Sequence, residues 1–477
     1  MVLCMMNERE AKMEAEAKKK LDDWIISINN TLAEVEKPSK LSIYKVPKKL
    51  VKLKEDAYTP SIVSVGPFHQ KNKELLAFEE HKQRYMLHLF MRTYEAAQST
   101  LKECATAIKD LEEEFRRCYS GYIKFDEQEL AEILLVDGCF ILELFLRYSD
   151  MENYKEKVED DDPIINNAST IAGLRHDLAL LENQIPFPVL QKLFDIIKKH
   201  MPQPLPYLFT TKNSVVYLAL LFLKPALGLR DKPVERKSEN LTGDHLLDVL
   251  HNFYILPQCD RIQHGGQSES RKCAGAARLL KAGIRLHVDE SSENLLDIKF
   301  DKGVVTMPPL QIQESITESI FRNLIAFEQC SIGTSHQIAS YVLLMKRLLS
   351  SSHDVEILRI RKIIINDLSD DDIGSGSDSD GDEVVTTLFK SMCDGVVLKD
   401  FCFSRLCEEV NDYPKACLDL RRLKARVMVI CREYMLVLGA KYFVTPWTTL
   451  SVIAAGLVLG FTAMQTYYSA RTYYNQY

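Results

Sequence analysis

Carboxylates embedded in apolar sequence are the residues of this 477-residue chain best suited to acid–base chemistry. Asp137 and Glu143 lie with Cys139 in ELAEILLVDGCFILELFLRY, residues 129–148; Asp177 and Glu182 lie in DLALLENQIPFPVLQKLF, residues 177–194. Burial disfavours a charged carboxylate, raising its pKa toward the range of a working acid or base. The same residue types also serve structure. An unpaired buried charge is costly and is normally met by loop amides, helix N-termini or an arginine, here Arg175 or Arg322. The structural alternative is the commoner one, and Asp177, Glu182, Asn183 and Gln184 read together as a polar network ending a buried helix. An enzyme site without a familiar motif would be assembled first from Asp137, Glu143 and Glu182.

Other constellations point to less chemistry. The sequence contains no G-x-S-x-G, G-x-x-x-x-G-K, H-E-x-x-H or G-x-G-x-x-G, so a nucleophile elbow, phosphate loop, zincin helix and dinucleotide fold lack their mechanical parts. His81 and His88 share a helix face two turns apart, beyond joint reach of one metal ion. Asp378, Asp380 and Asp382 resemble a calcium loop, but Gly381 is misplaced and Phe389 stands where the loop requires glutamate. Ser375, Ser377 and Ser379 among these acids are candidate phosphorylation sites in a solvated spacer. Lys45, Lys48, Lys49, Lys52 and Lys54 could meet phosphate or anionic lipid, although a solvated face beside Glu55 and Asp56 is the simpler reading. No aromatic platform accompanies them, which argues against nucleic acid. No metal or cofactor is implied.

The elements that must position these residues are mostly helical. Residues 8–36 form a charged helix with Leu21, Trp24, Ile25, Ile28 and Leu32 on one face. Ile43–His69, interrupted by Pro47, Pro60 and Pro67, reads as an ordered extended loop. Leu75–Cys118 reads as one long helical pattern, with Leu101, Cys104, Ile108, Leu111, Phe115 and Cys118 at alternating steps of three and four. Glu129–Tyr148 is a mostly buried helix. Asp177–Phe194 begins as a second one, bends at Pro186 and Pro188 and returns to helix. Val215–Leu223 is apolar but too short to span a bilayer. Asp297–Phe300 and Val304–Met307 make a small hairpin across Asp301, Lys302 and Gly303. Helices follow over Ile316–Cys330, Gln337–Ser350, Val355–Ile365 and Val384–Leu438, with an acidic solvated loop at 369–383. The fold class is mainly α: a large helical body with a small β-hairpin and a single C-terminal transmembrane helix.

That last element carries the strongest functional signal. Between Lys441 and Arg471 there is no charge, and PWTTLSVIAAGLVLGFTAMQTYY, Pro446–Tyr468, has an apolar centre. These 23 residues make a helix of about 35 Å against a hydrocarbon core of about 30 Å. Trp447 marks one rim, Tyr467 and Tyr468 the other. Arg421, Arg422, Lys424, Arg426, Arg432 and Lys441 precede the span and Arg471 follows it, which sets the body in the cytosol and the tail, 469–477, on the far side. Gly456 and Gly460 form G-x-x-x-G, a candidate homodimer contact where two helix backbones can touch. The N-terminus has no apolar run of the length a secretory signal needs. The twelve cysteines form no C-x-x-C pair, as expected of reduced thiols packed in a cytosolic body. Net charge is −7, and the acids of Ser369–Glu383 account for all of it, so no global attraction toward nucleic acid remains.

Several ordered strings resemble the plant Domain of Unknown Function 247 family: IYKVP (43–47), AYTPSIVSVGPFH (57–69), LLVDGCFILEL (134–144), DLALLENQIPFPVL (177–190), AARLLKAGI (276–284), FRNLIAFEQ (321–329), SYVLLMKRLLSSSHDVEIL (340–358) and MQTYYS (464–469). The resemblance runs from about residue 43 to 469. It departs at Ile363, where the family usually carries glycine, and in its enlarged acidic run. The resemblance implies an α-rich body with a C-terminal span and no established catalytic residue. Grass members linked to pollen–stigma self-incompatibility imply recognition instead of catalysis. The organisation expected is an N-terminal helix and linker over 1–40, a body over 41–440, the span over 446–468 and a short tail. Function is expected to be non-enzymatic recognition or scaffolding at a membrane, with lipid and an unidentified protein as partners and no nucleic acid; the alternative is the buried-carboxylate enzyme.

Overall fold

A computed structural model describes residues 16, 18–29, 41–154, 162–205, 209, 214–223, 238–256, 273–292, 294–366, 378–398, 401–413, 427, 454 and 457–468. The helices in the first half are α1 (Glu79–Met91), α2 (Ala97–Asp110), α3 (Glu127–Tyr154), α4 (Ala168–Leu178), α5 (Phe187–His200) and α6 (Ser214–Leu223). Helix α3 is the axis, with α1, α2, α5 and α6 packed around it. Its apolar run has no proline, and its start is fixed by reciprocal bonds: the Glu129 amide donates to Asp126 Oδ1 at 2.8 Å, and the Asp126 amide to Glu129 Oε2 at 2.9 Å. Leu130, Leu134, Phe140, Ile141, Leu142, Leu144 and Phe145 are all fully buried. A helix apolar nearly all round is buried nearly all round.

The second half contains α7 (Leu246–Tyr254), α8 (Ala276–Lys281), β1 (Arg285–Val288), β2 (Lys299–Asp301), β3 (Val304–Met307), β4 (Leu310–Ile312), α9 (Glu314–Cys330), α10 (Gln337–Leu348), α11 (Ser352–Ile360), β5 (Ile364–Asn366), α12 (Asp378–Met392) and α13 (Ser404–Asp412). Strand β3 pairs antiparallel with β2 across the Lys302–Gly303 turn, as the hairpin pattern predicts, and parallel with β1. Strands β4 and β5 form a second, parallel pair. The buried side chains of both halves belong to one continuous core.

Several expected boundaries move. The pattern over Leu75–Cys118 is broken: Thr93 closes α1 by donating its hydroxyl to the Phe90 carbonyl at 2.7 Å, Tyr94 has φ +52°, and α2 starts afresh at Ala97. Cys104, Ile108 and Phe115 are buried, with α2 against α3 and α5, so the 3.5-residue period marks an internal bundle. Helix α11 ends at Ile360, short of the expected Ile365; Lys362 at φ +57° turns the chain and Ile364 enters β5. The acidic stretch is helical from Asp378 as the start of α12, and Asp382 is buried, facing Arg359 at 3.7 Å. The helical stretch expected over Val384–Leu438 is interrupted between Met392 and Ser404.

At the N-terminus, residues 18–29 are helical and exposed throughout, Leu21, Trp24, Ile25 and Ile28 included. At the other end, Pro446, Trp447 and Gly456 lie outside the described residues, whereas Gly460 and Tyr468 fall in the helical stretch 457–468. Among the described residues no helix is long and apolar enough to cross a membrane. The stretch that is described exposes Leu457, Val458, Leu459, Phe461 and Met464.

Candidate functional site

The polar residues singled out in the sequence converge on one extended segment, Ser61–Gly66. Asp177, the penultimate residue of α4, takes three consecutive amides of it: Ser61 at 3.0 Å on Oδ1, then Ile62 at 2.7 Å and Val63 at 2.9 Å on Oδ2. His176 Nδ1 lies 2.8 Å from the same carboxylate. Asn183 continues the series, accepting from the Val65 amide at 2.7 Å and donating to the Val63 and Asp177 carbonyls at 3.0 Å each. Asp137 on α3 completes it by accepting from the Gly66 amide at 2.8 Å. Pro60 and Pro67 flank this segment and keep it out of regular structure. Buried amides must still find acceptors; side chains supply them here in place of a neighbouring strand.

The loop Ala179–Pro186, expected to be helical at its start, folds for the same reason. Gln184 donates to the Leu178 and Leu180 carbonyls at 2.8 Å each and accepts from the Leu247 amide at 3.2 Å. Its own carbonyl accepts from Tyr119 Oη at 3.1 Å. Asn323 on α9 accepts from the Leu181 amide at 2.9 Å, and Glu182 accepts from the Val46 amide at 2.7 Å. Side-chain bonds to main-chain groups compete with the helix ladder and prevail where several converge. The signal available in the sequence was Pro186, which biases Ile185 toward extended backbone, whereas Pro188 falls in the first turn of α5, where a helix tolerates it.

Charge at the site is matched. Lys82 on α1 is fully buried with Nζ 2.7 Å from Asp137 and 2.8 Å from Glu79. Burial opposes its charge, but these two carboxylates outweigh burial and hold its pKa above the ordinary lysine value. Burial pushes the Asp137 carboxyl up, against the pull of Lys82 and the Gly66 amide. Burial likewise raises the pKa of Glu182, opposed by the Val46 amide and Lys45.

Glu143 takes Arg92 at 2.7 Å and Arg147 at 2.8 Å, and Arg147 reaches Asp162 at 2.5 Å. The partners of Asp137 and Glu143 are thus Lys82, Arg92 and Arg147, not Arg175 or Arg322 as the sequence suggested. Arg175 instead bonds the Phe222 carbonyl at 2.7 Å, and Arg322 pairs with Glu318 at 2.7 Å. Of the lysine cluster, Lys54 bonds Glu318 at 2.6 Å and Lys45 lies over the Phe68 ring, 4.9 Å from its centre. His81 and His88 remain on α1, with His88 Nδ1 beside Arg147.

Sequence reasoning missed a second group of clamps. Glu328, fully inside the core, accepts the Ile338 and Ala339 amides at 2.9 Å each, satisfying the open N-terminus of α10, and meets His251 Nε2 at 3.1 Å. His245 caps α7 by accepting from the Asp248 amide at 3.2 Å on Nδ1, while its Nε2 donates to the Ser42 carbonyl at 3.0 Å. Burial lowers the His245 pKa to about 3, so the folded protein holds it neutral. The unfolded chain protonates it near 6.5, so the unfolded state binds more protons between those values and stability falls as pH drops below about 6.5. From pH 7 to 5 this one group removes about 2 kcal/mol. In urea titrations at both pH values, His245→Asn is expected to lose about that much less than the parent chain.

Two of the clefts on the described surface bear on the question of an enzyme site. One of about 460 Å³ is floored by Phe115, Phe187, Val216 and Leu241; the other, of about 300 Å³, by Leu296, Ile298, Phe300 and Phe403. Neither is lined by Asp137, Glu143 or Glu182. Among the described residues no group of three or more histidine, cysteine, aspartate or glutamate side chains could hold a metal ion. The arrangement as a whole does mechanical work: it fixes extended main chain against a helical bundle.

The family DUF247, described as "Plant protein of unknown function", matches residues 43–461. UPF0481 protein At3g47200 of Arabidopsis thaliana is 29% identical over 457 residues, covering 91% of this chain and 87% of its own length. Putative UPF0481 protein At3g02645 of the same plant is 23% identical, covering 93% of this chain and 94% of its own. No solved structure matches.

Proposed function

We propose, from the premise that this chain belongs to the plant DUF247 family of unknown function, that it is a non-enzymatic recognition or scaffold protein held at a membrane by its C-terminal segment. The observation that carries the reading is the tail itself. Residues 457–468 form a helix whose apolar side chains Leu457, Val458, Leu459, Phe461 and Met464 stay exposed, at the end of an uncharged stretch that begins after Lys441. Apolar side chains continuous over that length gain most by entering lipid. The body faces the cytosol in this reading, on the side of Arg421–Lys441. A second support comes from the carboxylates that an enzyme would need: Asp137, Glu143 and Glu182 each hold an amide or a cation, and none lines either of the two clefts described above. Lipid and a protein bound by the helical body are the partners proposed, with Gly456 and Gly460 as a homodimer contact within the segment.

Fractionation of plant cells tests the tether. The full chain is expected in the membrane pellet after alkaline carbonate extraction, and a chain ending at Lys441 in the supernatant. Recovery of the full chain in the supernatant would refute the tether. Replacing Gly456 and Gly460 with isoleucine is expected to abolish association of the segment in a membrane dimerisation assay while leaving it in the pellet; unchanged association would rule out the homodimer contact.

A further inference from the structure

The N-terminal helical stretch, residues 18–29, buries nothing against the body: every residue in it is exposed. Leu21, Trp24, Ile25 and Ile28 follow at steps of three, one and three, which a helix gathers on one face. Trp24 is 63% exposed and Leu21 50%, so large apolar side chains meet water along that whole face. Contiguous exposed apolar surface of this kind marks a contact with a partner or a membrane.

Charge decides between the two. On the same helix Lys18 and Lys20 fall at the margins of the apolar face, one on each side, while Asp22 and Asp23 fall farther round toward its back. Lys20 faces Glu16 at 3.6 Å with the two side chains 78% and 73% exposed, and a pair so open to water holds the ammonium weakly. Residues 16–29 contain three lysines and three acids, so the attraction comes from where the charges lie, not from their sum. Lysines at such margins lay their stems along apolar surface and hold their ammonium groups level with a layer of phosphates. The indole of Trp24 favours the same depth. A second copy fits this face less well, because a parallel pair of such helices brings lysine against lysine along both margins.

We propose that residues 18–29 are an interfacial helix that lies along an anionic lipid surface. Leu21, Trp24, Ile25 and Ile28 enter the boundary between headgroups and acyl chains to a depth of about 5–10 Å, with Lys18 and Lys20 among the lipid phosphates. Ile26, on the opposite face, stays in water. This contact differs from the tether proposed above in running along the bilayer instead of across it, and in taking its lipid preference from lysine. It stands independently of that tether. With both in place the body is fastened at its two ends, and the cytosolic leaflet, where the tether sets the body, is the one rich in anionic lipid.

The test reads Trp24 by its fluorescence. The chain has two tryptophans, so subtracting the spectrum of Trp24→Phe from that of the parent isolates Trp24. The full chain is added to vesicles of phosphatidylcholine and to vesicles of an equal mixture with phosphatidylserine. With phosphatidylserine the Trp24 emission is expected to move to the blue and to be quenched by brominated acyl chains, and high salt is expected to weaken both effects. Lys18→Gln combined with Lys20→Gln is expected to shift the balance of docked and free helix about thirtyfold toward free. Leu21→Gln combined with Ile25→Gln is expected to remove docking. None of these side chains packs on the body, so the melting temperature of each variant is expected to match the parent. The proposal is overturned if Trp24 emission is the same in the two lipids, shifted or not, or if the lysine variant docks as the parent does. A shift that follows protein concentration without lipid overturns it too, and assigns the face to a second copy.

Discussion

Replacing Asp177 with alanine is expected to cost about 3–5 kcal/mol of folding stability, enough to leave many domains largely unfolded. Its carboxylate receives the amides of Ser61, Ile62 and Val63 and sits against His176. Ser61 is exposed and can turn to water, but Val63 is buried and Ile62 half-buried. Each buried amide left without an acceptor costs about 1–3 kcal/mol. Asp177→Asn retains one oxygen able to accept, so it should lose about half as much. Urea denaturation followed by circular dichroism gives the ranking. Equal losses for the two variants would mean that the charge, not its capacity to accept several bonds, holds the segment. Losses under about 1 kcal/mol for both would mean that the segment does not depend on this anchor at all.

Gly66→Ala should be comparably severe for a different reason. Gly66 has φ +72°, and a Cβ there would collide with the Gln184 main-chain carbonyl oxygen and press on Tyr119 Oη. A left-handed conformation alone costs a side chain roughly 1–2 kcal/mol. The collision is with main chain fixed by two other bonds of Gln184, so it cannot relax cheaply, and we expect a total loss of about 3 kcal/mol or more. Gly121 makes the control. Its φ is +93° and an added Cβ meets nothing within 4 Å, so Gly121→Ala should show the conformational penalty alone, about 1–2 kcal/mol. Thermal melts of the two variants side by side separate strain from collision; matching shifts would mean that Gln184 does not press on the segment as described.

Legibility followed the length of the pattern. Glu129–Tyr148 could be read because a long, nearly unbroken apolar run leaves a helix few alternatives. The β2–β3 hairpin could be read because Lys302–Gly303 gave it a turn. Strands β1, β4 and β5 span three or four residues each, too short for alternation to emerge, and their pairing is decided by distant partners. The break at Tyr94 left no trace in composition. Asp177–Gln184 misled most. Its leucines keep helical spacing, while Asn183 and Gln184 satisfy the main-chain carbonyls that a helix would otherwise use.

Of the candidate site, the sequence indicated which residues form a polar network but not their partners. The cation facing Asp137 comes from α1, 55 positions earlier in the chain, and nothing in the local pattern of Lys82 marks it as buried. Glu328 and His245 escaped notice for a similar reason: each is defined by the helix end it caps, at a location only the fold reveals.

Hydrogen exchange on the intact chain reads the clamp most directly. The segment 61–66 contains no helix or strand, so an ordinary surface loop of this kind would exchange its amides quickly. Here the amides of Ile62, Val63, Val65 and Gly66 should exchange only with global unfolding, at least about a thousandfold slower than in an unfolded chain. Rapid exchange at Val63 and Gly66 would contradict the clamp and return Asp137 and Asp177 to the roster of groups free to do chemistry.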